Sequence, residues 1–180
     1  IEPIQVCRKA ECTAPSQHPL FDEPRIWNNE KSYYTGTFFD EVYYARSVAE
    51  LDRGLFPYEN THPPLGKTLA YWVTKVFGFH PLGWRTLNAL MGALIPLGIF
   101  FLSRELGFSL FASSIAGTLS YLDCARVALS RIFTIDIQVT LWIVLASISL
   151  VSFLRIYLAE GLSRKGIVRC LLTSILLGLA

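Results

Sequence analysis

Two long apolar runs without a charged residue restrict the fold of this chain more than any other feature. They cover residues 86–103 and 137–154, and each is 18 residues long. A helix needs about 20 mainly apolar residues to cross the hydrocarbon core of a bilayer, which is roughly 30 Å thick. Each run reaches that length with a few flanking residues, so the sequence predicts an all-α, polytopic, integral membrane protein.

The composition and the net charge exclude other classes of protein. Hydrophobic residues make up 52% of the 180 residues and aromatic residues 13%, which is more than an ordinary soluble domain carries. The formal net charge of +2 is too small to indicate a nucleic-acid partner. The one methionine is Met91, and Ala180 lies inside an apolar run. We therefore expect the chain to be a fragment of a larger polytopic protein.

Residues 1–37 form a polar segment without sustained hydrophobic periodicity, which we expect to be an extracytoplasmic loop or arm. Cys7 and Cys12 lie in this segment, and whether they form a disulfide stays open at this point. None of the four cysteines has the spacing of a zinc site.

Residues 38–83 are predicted to form an external loop with two membrane-surface helices. Residues 40–54 carry apolar side chains at intervals of three and four, with charged side chains opposite, which is the pattern of an amphipathic helix. The apolar stretch 65–79 resembles a span, but it has only 15 residues, and Lys67 and Lys75 interrupt it. It is too short to cross the bilayer, so we expect an interfacial helix.

Residues 84–180 contain the predicted spans. Their approximate bounds are 84–104, 107–130, 136–157 and 166–180, of which the last is truncated. Asp123 and Arg126, near the end of the second span, are three residues apart and are expected to form a structural ion pair.

The positive-inside rule orients these spans, because basic residues crowd into two of the connecting loops. These residues are Arg104 in one loop and Arg155, Arg164, Lys165 and Arg169 around the other. Both loops should be cytoplasmic. If residues 65–79 do not cross, the charged residues at the opposite ends share the outer face with Asp40 and His62. We therefore expect one reactive site at the outer membrane surface.

Four segments carry the most distinctive residues of the chain. They are FFDEVYYARS at 38–47, PYENTHPPLGK at 57–67, FGFHPLGWR at 77–85 and SRIFTIDI at 130–137. In this order they resemble the protein O-mannosyltransferase family, the polyprenyl (dolichyl) phosphate mannose-dependent branch of the GT-C glycosyltransferases, and most of all its bacterial members. The resemblance covers residues 38–180 and leaves out residues 1–37.

The resemblance implies a GT-C-type bundle of transmembrane helices whose first span precedes Ile1 and whose remaining spans follow Ala180. It also implies an enzyme that transfers mannose, with inversion, from a polyprenyl phosphate donor to Ser or Thr hydroxyls of exported proteins. Asp40 matches the family's catalytic position and would be the general base. Glu41 is given an orienting role beside it.

The remaining site residues follow from the chemistry and from looser matches. A lipid-linked sugar transferase needs a base, cations for the phosphate leaving group and a site at the bilayer surface. Lys67, Arg85 and Arg131 are the predicted phosphate partners. His62 and Asp136 are predicted to contact the substrate.

Simpler interpretations exist for several of these residues. An Asp-Glu pair at a helix start often only interacts with the helix dipole. The simpler interpretation of Lys67 is that its ammonium group reaches the membrane surface from an interfacial helix and binds no phosphate. His62 and Glu59 could bind zinc, but two candidate ligands do not make a metal site, so we predict no metal or cofactor.

Two other functions stay open on the sequence alone. One is a GT-C transferase that moves a different lipid-linked sugar to a lipid or glycan acceptor. The other is a transporter or non-catalytic scaffold, for which Asp123 and Arg126 would be the intramembrane charges. The favoured location is a bacterial plasma membrane, or the endoplasmic reticulum membrane for a eukaryotic protein. The expected partners are the lipid-linked donor, a protein acceptor and the bilayer.

Overall fold

The computed structural model describes residues 6–8, 11–13 and 36–180. The chain divides into two compact units, Ile1–Thr37 and Phe38–Ala180. In the first unit, strands β1 (Val6–Arg8) and β2 (Glu11–Thr13) pair in antiparallel fashion, with Cys7 opposite Cys12. The sequence pattern did not predict this strand pair. The bonding of the two thiols lies outside what the structure describes.

The second unit is built of helices. They are α1 (Glu41–Asp52), α2 (Pro64–Phe77), α3 (Pro81–Glu105), α4 (Leu110–Tyr121), α5 (Cys124–Ser130), α6 (Ile135–Glu160) and α7 (Arg164–Leu179). Helices α3 and α6, with 25 and 26 residues, are long and apolar enough to cross a membrane. They contain the two charge-free runs, as expected for a membrane protein.

Local sequence sets where the helices begin. A side chain accepts a hydrogen bond from a first-turn backbone N–H at the start of four helices, which satisfies a donor that the helix leaves open. These N-cap residues are His80, Ser109, Asp123 and Ser163. Helices α2 and α3 also begin with proline, whose missing N–H costs nothing in the first turn.

The segment expected to be one span at 107–130 is divided into two helices. Helix α4 ends at Tyr121, and Asp123 caps the start of α5 by accepting from Ala125 N at 3.0 Å. The expected Asp123–Arg126 ion pair is wrong. Asp123 is used as a cap, and Arg126 instead donates to the carbonyls of Ser120 at 2.9 Å and Tyr121 at 3.0 Å.

Arg126 also compensates an interruption inside α3. Pro96 lies within this helix and has no N–H, so the carbonyl of Gly92, four residues earlier, lacks its usual helical partner. Arg126 Nη1 donates to that carbonyl at 2.6 Å. One guanidinium therefore satisfies backbone groups of both α3 and α4.

Two apolar clusters hold the helices together, and one of them contains α1 and α2. Helices α1 and α2 pack with the start of α3 and the α5–α6 connection through Tyr44, Ala45, Val48, Ala70, Trp84, Phe133 and Ile135. A second cluster between α3 and α6 contains Met91, Ile95, Ile137 and Leu141. Gly66 lets α2 approach α6 closely, since a Cβ there would lie 2.6 Å from Ile135 Cγ2. This packing brings the 38–67 region to the start of α6.

Candidate active site

Glu41, in the first turn of α1, is fully buried. Its Oε1 accepts hydrogen bonds from Trp84 Nε1 at 3.0 Å, Arg85 Nε at 2.7 Å and Phe133 N at 3.0 Å. Its Oε2 accepts from Arg85 Nη2 at 2.6 Å and Phe38 N at 2.9 Å. A carboxylate offers about four lone-pair sites, so these donors saturate Glu41. The residue joins α1 to α3 and to the α5–α6 connection.

Asp40 adjoins Glu41 but has different surroundings. It is the N-cap residue of α1 and is partly exposed. Its side chain makes no capping hydrogen bond. Among residues 36–180, no donor or cation is paired with its carboxylate. Of the two neighbouring acids, Asp40 is the one that is partly exposed, whereas Glu41 is fully buried.

Tyr44 follows Asp40 by one helical turn, and its ring is buried. The ring meets the imidazole of His62 edge-on, with 5.6 Å between centroids. Burial, together with the negative charges of Asp40, Asp136 and Glu59, raises the pKa of Tyr44 to about 12. The phenol therefore stays protonated at neutral pH, with three carboxylates in its neighbourhood.

The loop before α2 is closed by a short network around Glu59. Glu59 Oε1 accepts from Thr61 N at 2.9 Å and lies 3.0 Å from His62 Nδ1. Lys67 Nζ is almost fully buried and donates to Glu59 Oε2 at 2.7 Å and to His62 O at 3.2 Å. Burial opposes ionisation of Glu59, but the hydrogen bonds from Lys67 and His62 outweigh it and lower its pKa to about 2. Glu59 and the buried Lys67 thus hold the His-Pro-Pro segment in place before α2.

The connection between α5 and α6 is fixed by a second buried polar residue. Asn88, on α3, donates through Nδ2 to Ile132 O at 2.9 Å and to Thr134 O at 2.5 Å. Its Oδ1 accepts from Gln138 Nε2 at 3.0 Å. These contacts set the start of α6, where Asp136 is exposed in the first turn.

Three of the residues predicted for the site lie around one point. Asp40, His62 and Asp136 come from α1, the 57–63 loop and α6, and each interacts with Tyr44 through its ring or its charge. The part of the chain that the structure describes has no group of three His, Cys, Asp or Glu side chains arranged to hold a metal ion. The alternative zinc role of His62 and Glu59 gains no third ligand there.

The three predicted phosphate partners have different surroundings. Arg85 and Lys67 are buried, and their charges are bound by Glu41 and Glu59 respectively. Arg131 is exposed at the C-terminal end of α5. Their contact with a lipid phosphate stays a prediction.

Sequence reasoning missed Tyr44 and Asn88 as parts of the site. Asn88 carried a usable signal, because an amide inside a charge-free apolar run is expected to form a hydrogen bond within the bundle. Tyr44 carried none beyond its place four residues after Asp40. Aromatic residues on an amphipathic helix usually belong to the core.

A family model described as dolichyl-phosphate-mannose-protein mannosyltransferase matches residues 74–180, which is more than half of the chain. The chain belongs to this family. The motifs at 38–47 and 57–67 precede the matched residues. The family match therefore rests on the long helices and does not include the acidic pair at 40 and 41.

Curated proteins similar to the chain carry the same kind of name. A polyprenol-phosphate-mannose–protein mannosyltransferase of Corynebacterium glutamicum is 31% identical, over 74% of this chain and 24% of its own length. Its counterpart in Mycobacterium tuberculosis is 28% identical, over 60% and 22%. Protein O-mannosyltransferase 1 of Drosophila pseudoobscura pseudoobscura is 27% identical, over 65% and 15%.

These alignments cover only a small part of each relative. The chain spans at most about a quarter of the length of these relatives. The Corynebacterium alignment covers more of the chain than residues 74–180 contain, so it includes residues before 74. No solved structure matches the chain.

Proposed function

We propose that this chain is the part of a protein mannosyltransferase that supplies the general base. The complete enzyme would transfer mannose from a polyprenyl phosphate donor to Ser or Thr hydroxyls of exported proteins. The names of the similar proteins support the donor and the protein acceptor. The site would face the outer side of the membrane, in a multi-pass protein with a GT-C-type bundle.

The contrast between Asp40 and Glu41 carries the proposal. Glu41 is saturated by five donors, including both nitrogens of a bidentate Arg85 contact. It cannot also accept a proton from a substrate without losing these bonds. Asp40 is partly exposed, has no such partners within the described residues and begins the same helix. The buried acid positions the helix, and the accessible acid is free for chemistry.

In the proposed reaction, Asp40 takes the proton of the acceptor hydroxyl. The hydroxyl oxygen forms a bond to the anomeric carbon of mannose from the face opposite the phosphate. The bond between that carbon and the phosphate oxygen breaks, and polyprenyl phosphate leaves with the electron pair. One displacement inverts the anomeric centre.

Cations favour this reaction by stabilising the charge that develops on the phosphate. Arg131 is exposed near the start of α6 and is the proposed direct partner. The imidazole of His62 is exposed and would bind sugar or acceptor hydroxyls, and the buried ring of Tyr44, which it contacts edge-on, would position it. The roles of Arg85 and Lys67 would be to hold Glu41 and Glu59.

The test is transfer of radiolabelled mannose from polyprenyl phosphate mannose to a Thr-containing peptide by the full-length protein. Asp40→Asn keeps the size of the side chain but removes the base, so we expect turnover to fall by about 10²- to 10⁴-fold. Asp52→Asn is the matched control, because Asp52 is an exposed carboxylate at the other end of α1. If Asp40→Asn kept more than about a tenth of wild-type turnover, Asp40 would not be the base.

A further inference from the structure

Phe39 has an unusual backbone conformation directly before Asp40. Its φ is +55°, and it is the one residue other than glycine with a positive φ among those described. Left-handed backbone costs energy for a bulky side chain, and residues held in it cluster at functional sites. A contact elsewhere must therefore compensate for the strain at Phe39, and the residue is a candidate for a functional role.

The compensating contact is the buried Glu41. Phe38, Phe39, Asp40 and Glu41 form a turn in which Glu41 N donates to Phe38 O at 3.1 Å. Phe38 N in return donates to Glu41 Oε2 at 2.9 Å. With Asp40 at φ −73° and ψ −2°, the φ values match a type II′ turn, whose second residue is normally glycine. The saturated carboxylate thus fixes a turn that glycine would form more easily.

The two phenylalanines of the turn have different surroundings. The ring of Phe38 lies against the buried guanidinium of Arg85, with 5.5 Å from Cζ to the ring centroid. Phe39 is 77% exposed. One turn along α1, Tyr43 is also exposed. An exposed apolar ring is therefore held on the residue directly before Asp40, in a backbone conformation that costs energy.

We propose that Phe39 binds the acceptor polypeptide, by contact with an apolar side chain next to the Ser or Thr that receives the sugar. This inference rests on the proposed function. The lipid-linked donor of that reaction is anchored in the bilayer by its tail, whereas the polypeptide arrives from water. In the proposed reaction Asp40 takes the proton of the acceptor hydroxyl, so an exposed ring on the residue directly before Asp40 fits the polypeptide rather than the lipid tail.

The first experiment compares Phe39→Gly with the wild-type full-length protein. Glycine suits the positive φ, so the unfolding midpoint should rise or stay the same. Loss of one aromatic contact should raise the KM for a Pro-Thr-Val peptide about tenfold. The kcat and the KM for polyprenyl phosphate mannose should stay unchanged. Phe39→Trp should restore most of the peptide affinity.

The second experiment measures binding without turnover, by fluorescence anisotropy of a labelled Pro-Thr-Val peptide and of a Gly-Thr-Gly peptide. On the wild type, the Gly-flanked peptide should bind about tenfold more weakly. On Phe39→Gly, the two peptides should bind alike, which is the mark of a direct contact. Phe111→Ala is the matched control, because Phe111 is 76% exposed and lies on α4.

The outcomes separate this inference from the function on which it rests. If peptide binding depended on Phe39 but the wild type transferred no mannose, the proposed function would be wrong and the contact between Phe39 and the peptide would be supported. Transfer with unchanged peptide KM and unchanged binding in Phe39→Gly would remove the inference alone. If Phe39→Gly raised the KM for the donor instead, the ring would contact the lipid-linked sugar and not the peptide. If Phe39→Gly lowered the unfolding midpoint, the ring would stabilise the fold, and the inference would also be wrong.

Discussion

Glu41 and Glu59 each bind a buried basic side chain, but they join parts of the chain at very different separations in sequence. The donors from α3 and from the α5–α6 connection to Glu41 are 43, 44 and 92 residues away in sequence. The partners of Glu59 are all within 8 residues. The same chemistry holds the tertiary fold in one case and shapes a single loop in the other. The contacts of Glu41 therefore position the candidate site, whereas those of Glu59 shape the loop beside it.

The largest expected effect is that of breaking the Glu41 contact. Glu41→Gln keeps the shape but removes the negative charge that the buried Arg85 guanidinium binds, so the free energy of unfolding should fall by roughly 3–5 kcal/mol. Chemical denaturation of the detergent-solubilised protein measures it. Glu50→Gln is the control on the same helix, because Glu50 has an exposed cation as its partner. A loss as small as that of the control would mean that Glu41 does not hold the fold.

The Glu59 network should make a pH-dependent contribution. The pKa of Glu59 lies near 2 in the folded protein, against 4.5 ordinarily. A lowered pKa stabilises the fold above the ordinary value, and this stabilisation is lost as pH falls from about 4.5 towards 2. The unfolding midpoint of the wild type should therefore fall more steeply in this window than that of Glu59→Gln. Parallel pH profiles for the two proteins would contradict the network.

The smallest effect is expected where a pair is both local and exposed. Arg46 Nε donates to Glu50 at 2.9 Å, four residues later, and its guanidinium lies 4.8 Å from the ring centroid of Tyr58. Arg46→Ala should lower the free energy of unfolding by about 0.5 kcal/mol, as for other surface pairs in helices. Denaturation in high salt should reduce the difference further. If Arg46→Ala lowered the free energy of unfolding as much as Glu41→Gln, the distance in sequence between two partners would not distinguish strong contacts from weak ones.

The long helices could be predicted from the sequence because a charge-free run of 18 residues has few alternatives. The predicted spans 84–104 and 136–157 fall within α3 and α6. The amphipathic periodicity likewise predicted α1, and the short, charged stretch 65–79 predicted a helix that coincides with most of α2. In each case the pattern is local.

What could not be predicted depends on residues that are distant in sequence. Nothing in the Asp40–Glu41 pair shows which acid is buried, because the donors to Glu41 come from α3 and from Phe133. The interruption after Tyr121 was also missed, since residues 107–130 are apolar enough to suit one helix. Its reason lies in the carbonyls that Arg126 binds, which include one on α3.

A charged side chain in an apolar segment is commonly a sign of an ion or substrate path. The three nitrogens of Arg126 that act as donors end instead on main-chain oxygens, two at the end of α4 and one opposite a proline in α3. The proline and the arginine are therefore interdependent. Restoring an N–H at position 96 would give Gly92 its own helical partner and leave the guanidinium with an unfilled bond. The residue that had made a transporter conceivable is part of the scaffold, and it repairs the backbone of a neighbouring helix.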